Sequence, residues 1–272
     1  MQVFQPGLET GLSGLNRFCG LLNLPTPLSK AAYNKQLKHL GDVAMKTCEK
    51  IMNEAAARLI YVTEKEHPAL TEIDKNGRKL AQVAVTVDGT WQKRGYSSKN
   101  GAVFIISVRT GEVLDFEVLS MVCHQCQAHG TEDFNSEKYK QWKETHKPVC
   151  PINHSGSSGD METKGAIRLF LRSISKHNLK YTIMVGDGDT GCFGSVHAAL
   201  KKEYGAEYEI EKEECVGHIQ KRMGTRLRDL KKQYKGKKLD DGKGIGGAGR
   251  LTDKVVDKMQ NHYGSAIRQN KE

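Results

Sequence analysis

Val83-Ala84-Val85-Thr86-Val87-Asp88-Gly89-Thr90-Trp91 is the stretch on which the fold turns. It reads as a short strand of β-branched residues that ends in a carboxylate. Strand alternation sends Val83, Val85 and Val87 to one face, and Ala84, Thr86 and Asp88 to the other. An ionised carboxylate at the end of an apolar strand is costly to desolvate unless a metal ion, an arginine or water meets it.

Working outward, residues 102–109 form a second strand and Thr110-Gly111 a tight turn. Residues 112–121 form a third strand, which completes an antiparallel meander. After a break over 122–160, the apolar positions Ile167, Leu169, Phe170, Leu171 and Ile174 predict a helix over 161–177. A fourth strand over 181–185 ends in Gly186-Asp187-Gly188-Asp189. A helix over 190–203, a fifth strand over 207–213 and a basic helix over 216–234 follow. A glycine-rich loop spans 236–249, and a last helix spans 251–268. The order β-β-β-α-β-α-β-α predicts an α/β protein of ribonuclease H-like class. Its mixed sheet has three antiparallel strands, then βαβ units, with helices on both faces. In that order the first and fourth strands are neighbours, so Asp88 and Asp187 are expected side by side.

Upstream, residues 1–25 show no firm period and are expected to be loosely ordered. Residues 26–79 make an N-terminal helical region, with Ser29 as N-cap. Its apolar positions are Leu37, Leu40, Val43, Ala44, Ile51, Met52, Ala55 and Leu59, and a polar linker follows over 65–79. Residues 80–272 are the expected catalytic domain, with the insertion at 122–160 and a basic segment at 219–272.

Composition sets bounds. No apolar run approaches the ~20 residues of a membrane span, and Met1–Pro6 lacks the pattern of a signal peptide. Seven cysteines, an odd number, argue against a secreted disulfide scaffold. Residues 219–272 hold 15 Lys/Arg against 6 Asp/Glu, so nearly all of the net +10 sits there. Such a segment suits a polyanionic partner, most simply nucleic acid, or else is a solvated helix face.

Four constellations carry chemistry. Asp88, Asp187 and Asp189 at strand ends suit Mg²⁺ or Mn²⁺, hard cations that prefer oxygen ligands. Asp-Gly turn chemistry is the plainer alternative. Glu162 opens the helix that follows the meander, either as a further metal ligand or as a first-turn acid. Cys123-x2-Cys126, followed after 23 residues by Cys150-x3-His154, has zinc-ligand spacing. His146 competes with His154 for the fourth place, while His124 and His129 stand outside. A structural zinc would staple a polar insertion that cannot build its own core. Cys215-x2-His218 lies on one face of the basic helix, where a core thiol and a satisfied histidine is the plainer reading. Gly242–Arg250 lacks the Gly-Lys-Ser/Thr of a P-loop, but it could lay Lys243 and Arg250 along phosphates, or be a plain linker. Trp91, with Lys93 and Arg94, could stack on or grip a nucleic-acid strand, or Trp91 could cover the core.

The run Asp88–Ser98 resembles the Mutator-like transposase domain. So do Asn153–Gly159 with Met161-Glu162, Gly186–Asp189, Cys215–Arg222 and 237–253. The resemblance covers roughly residues 30–272. It implies a DDE-type nuclease on a ribonuclease H-like fold that cleaves and joins DNA at transposon ends. Asp88 matches the first acid and Asp187 the second, with Asp189 its rival. Cys215 and His218 match the Cys-x2-His element of Mutator-class enzymes. The implied partners are transposon-end and target DNA, in a nuclear homo-oligomer with no membrane association. The DNA contacts fall on Trp91, Arg94, Lys221, Arg222, Arg226, Lys237, Lys238, Lys243 and Arg250. The family's late helical Glu has no placed match here, which leaves open whether the third acid lies beyond this stretch or the chain binds without cutting. An inactive, zinc-stabilised DNA-binding remnant is the alternative.

Overall fold

A computed structural model describes residues 11–74, 76–93, 97–186 and 190–270. The chain divides into two compact units, with the break between Glu54 and Ala55.

In the first unit, α1 (Gly11–Leu21) replaces the loose order expected there. Its glycines mask a helical spacing of Leu12, Leu15, Phe18 and Cys19, and Cys19 is buried. The following α2 (Lys30–Glu66) is one continuous helix that runs across the break. Its apolar positions divide sharply: Leu37, Leu40, Val43 and Ile51 are exposed, whereas Met52, Ala55 and Leu59 are buried.

The second unit is built on a mixed sheet. Its strands are β1 (Thr71–Ile73), β2 (Lys79–Trp91), β3 (Asn100–Ser107), β4 (Val113–Ser120), β5 (Leu179–Gly186) and β6 (Glu211–Glu214). The order is β4-β3-β2-β5-β6, with β1 also paired to β2. A 3₁₀ turn (Pro68–Leu70) and β1 occupy the expected polar linker, where Thr71, Glu72 and Ile73 find partners in Ala81, Leu80 and Lys79. The meander is antiparallel, while β5 pairs with β2 and β6 with β5 in parallel. At the β3–β4 turn Gly111 has φ +69°, a left-handed conformation that glycine adopts readily.

Short α3 (His124–Ala128) and α4 (Glu137–His146) lie in the insertion. Then come α5 (Ser158–His177), α6 (Thr190–Tyr204), α7 (Val216–Gln233) and α8 (Asp253–Gln269). Val83 and Val85 of β2, Val103 and Ile105 of β3, and Leu179 and Tyr181 of β5 join Leu169 and Phe170 of α5 in one core. Ala55, Ala56 and Leu59 of α2 belong to the same core. The close fit of α5 rests on Gly165: a Cβ there would lie 2.6 Å from Val103 Cγ2. Among the described residues no helix is long and apolar enough to cross a membrane.

Candidate active site and metal cluster

Asp88 lies near the end of β2, opposite Phe104 of β3, and is exposed. Beside it Gly89 allows a close approach. A Cβ there would meet the Trp91 ring at 2.8 Å and Glu162 Oε2 at 3.2 Å. Trp91 is half-buried against the core, and its indole Nε1 donates to the Ser158 carbonyl at 3.0 Å. This bond ties the end of β2 to the start of α5. Ser157 caps α5, accepting from the Asp160 amide. Glu162, one turn on, is thereby held over the strand end that carries Asp88.

The other side of this cleft comes from β5 and β6. The parallel pairing brings Gly186 opposite Glu214. The Cys215 amide then donates to the Gly186 carbonyl at 2.9 Å, and Cys215 becomes the N-cap of α7. Cys215 and His218 therefore open into the same cavity, of about 220 Å³, as Asp88 and Glu162. Lys212 and Cys192 also line it, over a floor of Val87, Ile106, Met184 and Phe193. Neither Lys212 nor Cys192 belongs to a motif. Lys212 is visible only from its alternation along β6, and Cys192 is an ordinary buried thiol until α6 docks. Asp187, Asp189 and Arg94 lie outside the described residues.

A second cluster forms in the insertion. Cys123, Cys126, His146 and Cys150 bring their ligand atoms within 4.8 Å of one another. Cys123 Sγ is 3.3 Å from His146 Nε2, and Cys126 Sγ is 3.7 Å from Cys150 Sγ. The latter spacing is far beyond a disulfide bond of ~2.05 Å. The cluster could hold a metal such as zinc. The Cys126 amide, aimed at the Cys123 sulfur, lowers that thiol's pKa. Burial and the Cys150 and Cys123 sulfurs raise that of Cys126. Three crowded thiols resist full ionisation without a cation among them. Trp142 stacks between the rings of His129 and His146, at 3.8 and 4.9 Å.

Of the two histidines left open by spacing, His146 joins the sulfurs. His154 is buried elsewhere, with Nε2 at 3.1 Å from the Ser157 carbonyl. Spacing favoured His154 because Cys-x3-His is compact in sequence. Helix α4 brings the more distant His146 back to Cys123.

A family model described as Mutator-like transposase matches residues 3–272. The chain belongs to the Mutator-like transposase family. Searches of curated proteins and of solved structures find no match. Membership supports a transposase function, which has DNA as its partner.

In this Mutator-like chain the basic segment forms a helical pair. Gly224 of α7 faces Gln260 of α8, and Gly264 faces Gln220, so the two helices pack closely. Much of the positive charge is answered internally. Arg222 pairs with Glu214, Arg228 with Asp257, Lys231 with Asp253, and Arg250 with Asp241. Lys221, Arg226, Lys237, Lys238 and Lys243 are exposed. A cavity of about 550 Å³ sits where α7 ends and α8 begins, rimmed by Arg228, Lys231, Lys232 and Lys235. These four cations fall at helical spacing along and just past the end of α7, within the basic segment, and the 236–252 loop adds Gly244, Ile245 and Gly246 to the rim.

Proposed function

We propose that this chain is a DDE-type transposase domain of ribonuclease H-like architecture, cutting and joining DNA with a divalent cation. The carrying observation is the cleft that gathers Asp88, Glu162, Cys215 and His218 at one end of the sheet. The parallel pairing of β2 with β5 supports the reading that the Gly186–Asp189 stretch supplies the second acid. Thr86 pairs with Val185, and in the sequence Asp88 and Asp187 each come two residues after this pair. Asp88, Asp187 or its rival Asp189, and Glu162 would hold Mg²⁺ or Mn²⁺, since hard cations favour carboxylate oxygens. When bound, such a cation would supply activation of water or a 3′-hydroxyl and neutralise charge on the phosphodiester.

The chain's own groups do the rest. The carboxylates would hold the ion at the cleft. Lys212 faces the cleft with a positive charge suited to a phosphate oxygen. Water would add to phosphorus as the 3′-oxygen leaves and takes up the proton the water sheds; the freed 3′-hydroxyl would then attack a target phosphodiester, losing its proton as the target's own 3′-oxygen leaves with one. Exposed Lys221, Arg226, Lys237, Lys238 and Lys243 hold the DNA backbone. In the same reading the Cys123/Cys126/His146/Cys150 cluster holds zinc as a structural ion. A homo-oligomer acting in the nucleus fits a reaction that pairs two DNA ends.

The test is strand nicking with Mn²⁺ on DNA carrying transposon ends. Asp88→Asn is expected to lower cleavage by about 10²-fold or more. It should leave salt-sensitive DNA binding intact. Salt-sensitive binding with no Asp88-dependent cleavage would establish the inactive DNA-binding alternative instead.

A further inference from the structure

We propose that zinc at Cys123, Cys126, His146 and Cys150 clasps the insertion and, through Asn153, positions the start of α5 with Glu162. The inference rests on the zinc reading above and carries it to the cleft.

The geometry suits one tetrahedral ion. Ligands at ~2.3 Å from zinc sit about 3.8 Å apart. The observed pairs are at 3.7 Å for Cys126–Cys150 and 3.3 Å for Cys123–His146. The insertion also has no other interior. Between residues 122 and 157 only Cys123, His146 and His154 are buried, and two of those are ligands. A segment without an apolar core needs a staple to keep one shape.

The base of the insertion is stitched to both the sheet and the helix by one residue. Asn153 lies three positions after the ligand Cys150. Its Oδ1 accepts from the Ser120 amide at 2.9 Å, and its Nδ2 donates to the Val118 carbonyl at 2.7 Å. The Ser120 carbonyl accepts from the amides of Asn153 and His154 at 3.0 and 3.2 Å. From α5, Arg168 donates to the Asn153 carbonyl at 2.7 Å. Ser120 also lies three residues before the ligand Cys123. The ion therefore ties together two chain segments that leave the end of β4 and return to it. The returning segment runs directly into Ser157, the cap of α5. Asn153 is a positioning residue: it touches neither the cleft nor the metal, yet it fixes where α5 begins.

The experiment uses the full chain, purified with zinc and then treated with a chelator. Elemental analysis should give one zinc per chain, lost in Cys126→Ser. Hydrogen exchange should then rise several-fold over residues 158–165. Residues 170–177 of α5 and strands β3 and β5 should keep their protection. Should chelation unfold the whole chain, Asn153→Ala decides: it should retain zinc and still speed exchange over 158–165. Absence of stoichiometric zinc overturns the proposal, as does unchanged exchange at 158–165 in Asn153→Ala. In a parallel measurement, Mn²⁺ affinity that depends on Asp88 should fall several-fold when zinc is removed. If Mn²⁺ never binds, the catalytic reading fails, while the exchange data still judge the clasp.

Discussion

The two ends of α5 meet carboxylates in opposite surroundings. At its C-terminal end Asp115 of β4 is buried and surrounded by cations. Arg172 meets it with Nε at 2.7 Å and Nη2 at 3.1 Å, Lys176 reaches it at 2.8 Å, and His177 Nε2 lies at 3.7 Å. Glu117 extends the network to Arg172 and Arg168. Burial alone pushes the pKa of Asp115 up. The facing His177, Arg172 and Lys176 more than reverse this and hold the carboxyl well below the usual carboxylate range. At the N-terminal end Glu162 and the exposed Asp88 share a cleft with a thiol and an imidazole. Among the described residues Asp88 makes no ion pair. Along one helix, then, a buried carboxylate is matched by cations, and an exposed one in a cleft is not, which suits the catalytic role proposed for it.

The comparison breaks most visibly in stability. Asp115→Asn leaves Arg172 and Lys176 facing a neutral group, and should cost about 3 kcal/mol in urea unfolding. Asp88→Asn, at an exposed position, should stay within about 0.5 kcal/mol of the parent. Equal losses for the two would erase the distinction between them. Gly165→Ala tests whether the close seat of α5 is real. The added methyl meets Val103 and should cost about 1–3 kcal/mol.

Acid sharpens the contrast further. A carboxyl with a depressed folded-state pKa contributes stability above its unfolded value, near ~3.9. That contribution is lost as pH falls below this value toward the folded one. The melting temperature should therefore drop between about pH 4 and 2, and less steeply in Asp115→Asn. The smallest effect is expected on the basic helices. Neutralising Lys237 or Lys238 should leave stability unchanged. It should also flatten the log–log salt dependence of DNA binding by about 0.9 for each phosphate that goes unneutralised.

Much of this was readable from residue order. The alternation of Val83, Val85 and Val87, the Thr110-Gly111 turn and the apolar period of α5 placed the meander and the helix over it. The cysteine spacing marked the cluster, because Cys-x2-Cys joined to a distant Cys/His pair is zinc-ligand spacing. Reading failed where local signals were weak or shared. Glycines hid α1. A strand as short as β1 has no period to detect. The Leu37, Leu40 and Val43 stripe of α2 looked like core but stands exposed.

By itself, then, the sequence determined the family, the order of the longer strands and helices, and the residue types able to bind metal, since these depend on local pattern and composition. Tertiary structure alone decided which distant groups meet. It chose His146 over His154 by folding α4 back on Cys123. It brought Lys212 and Cys192 to the cleft through the pairing of β5 with β6 and the docking of α6. It also committed Arg222 and Arg250 to internal ion pairs. Such choices depend on distances across the fold, and residue spacing along the chain does not encode them.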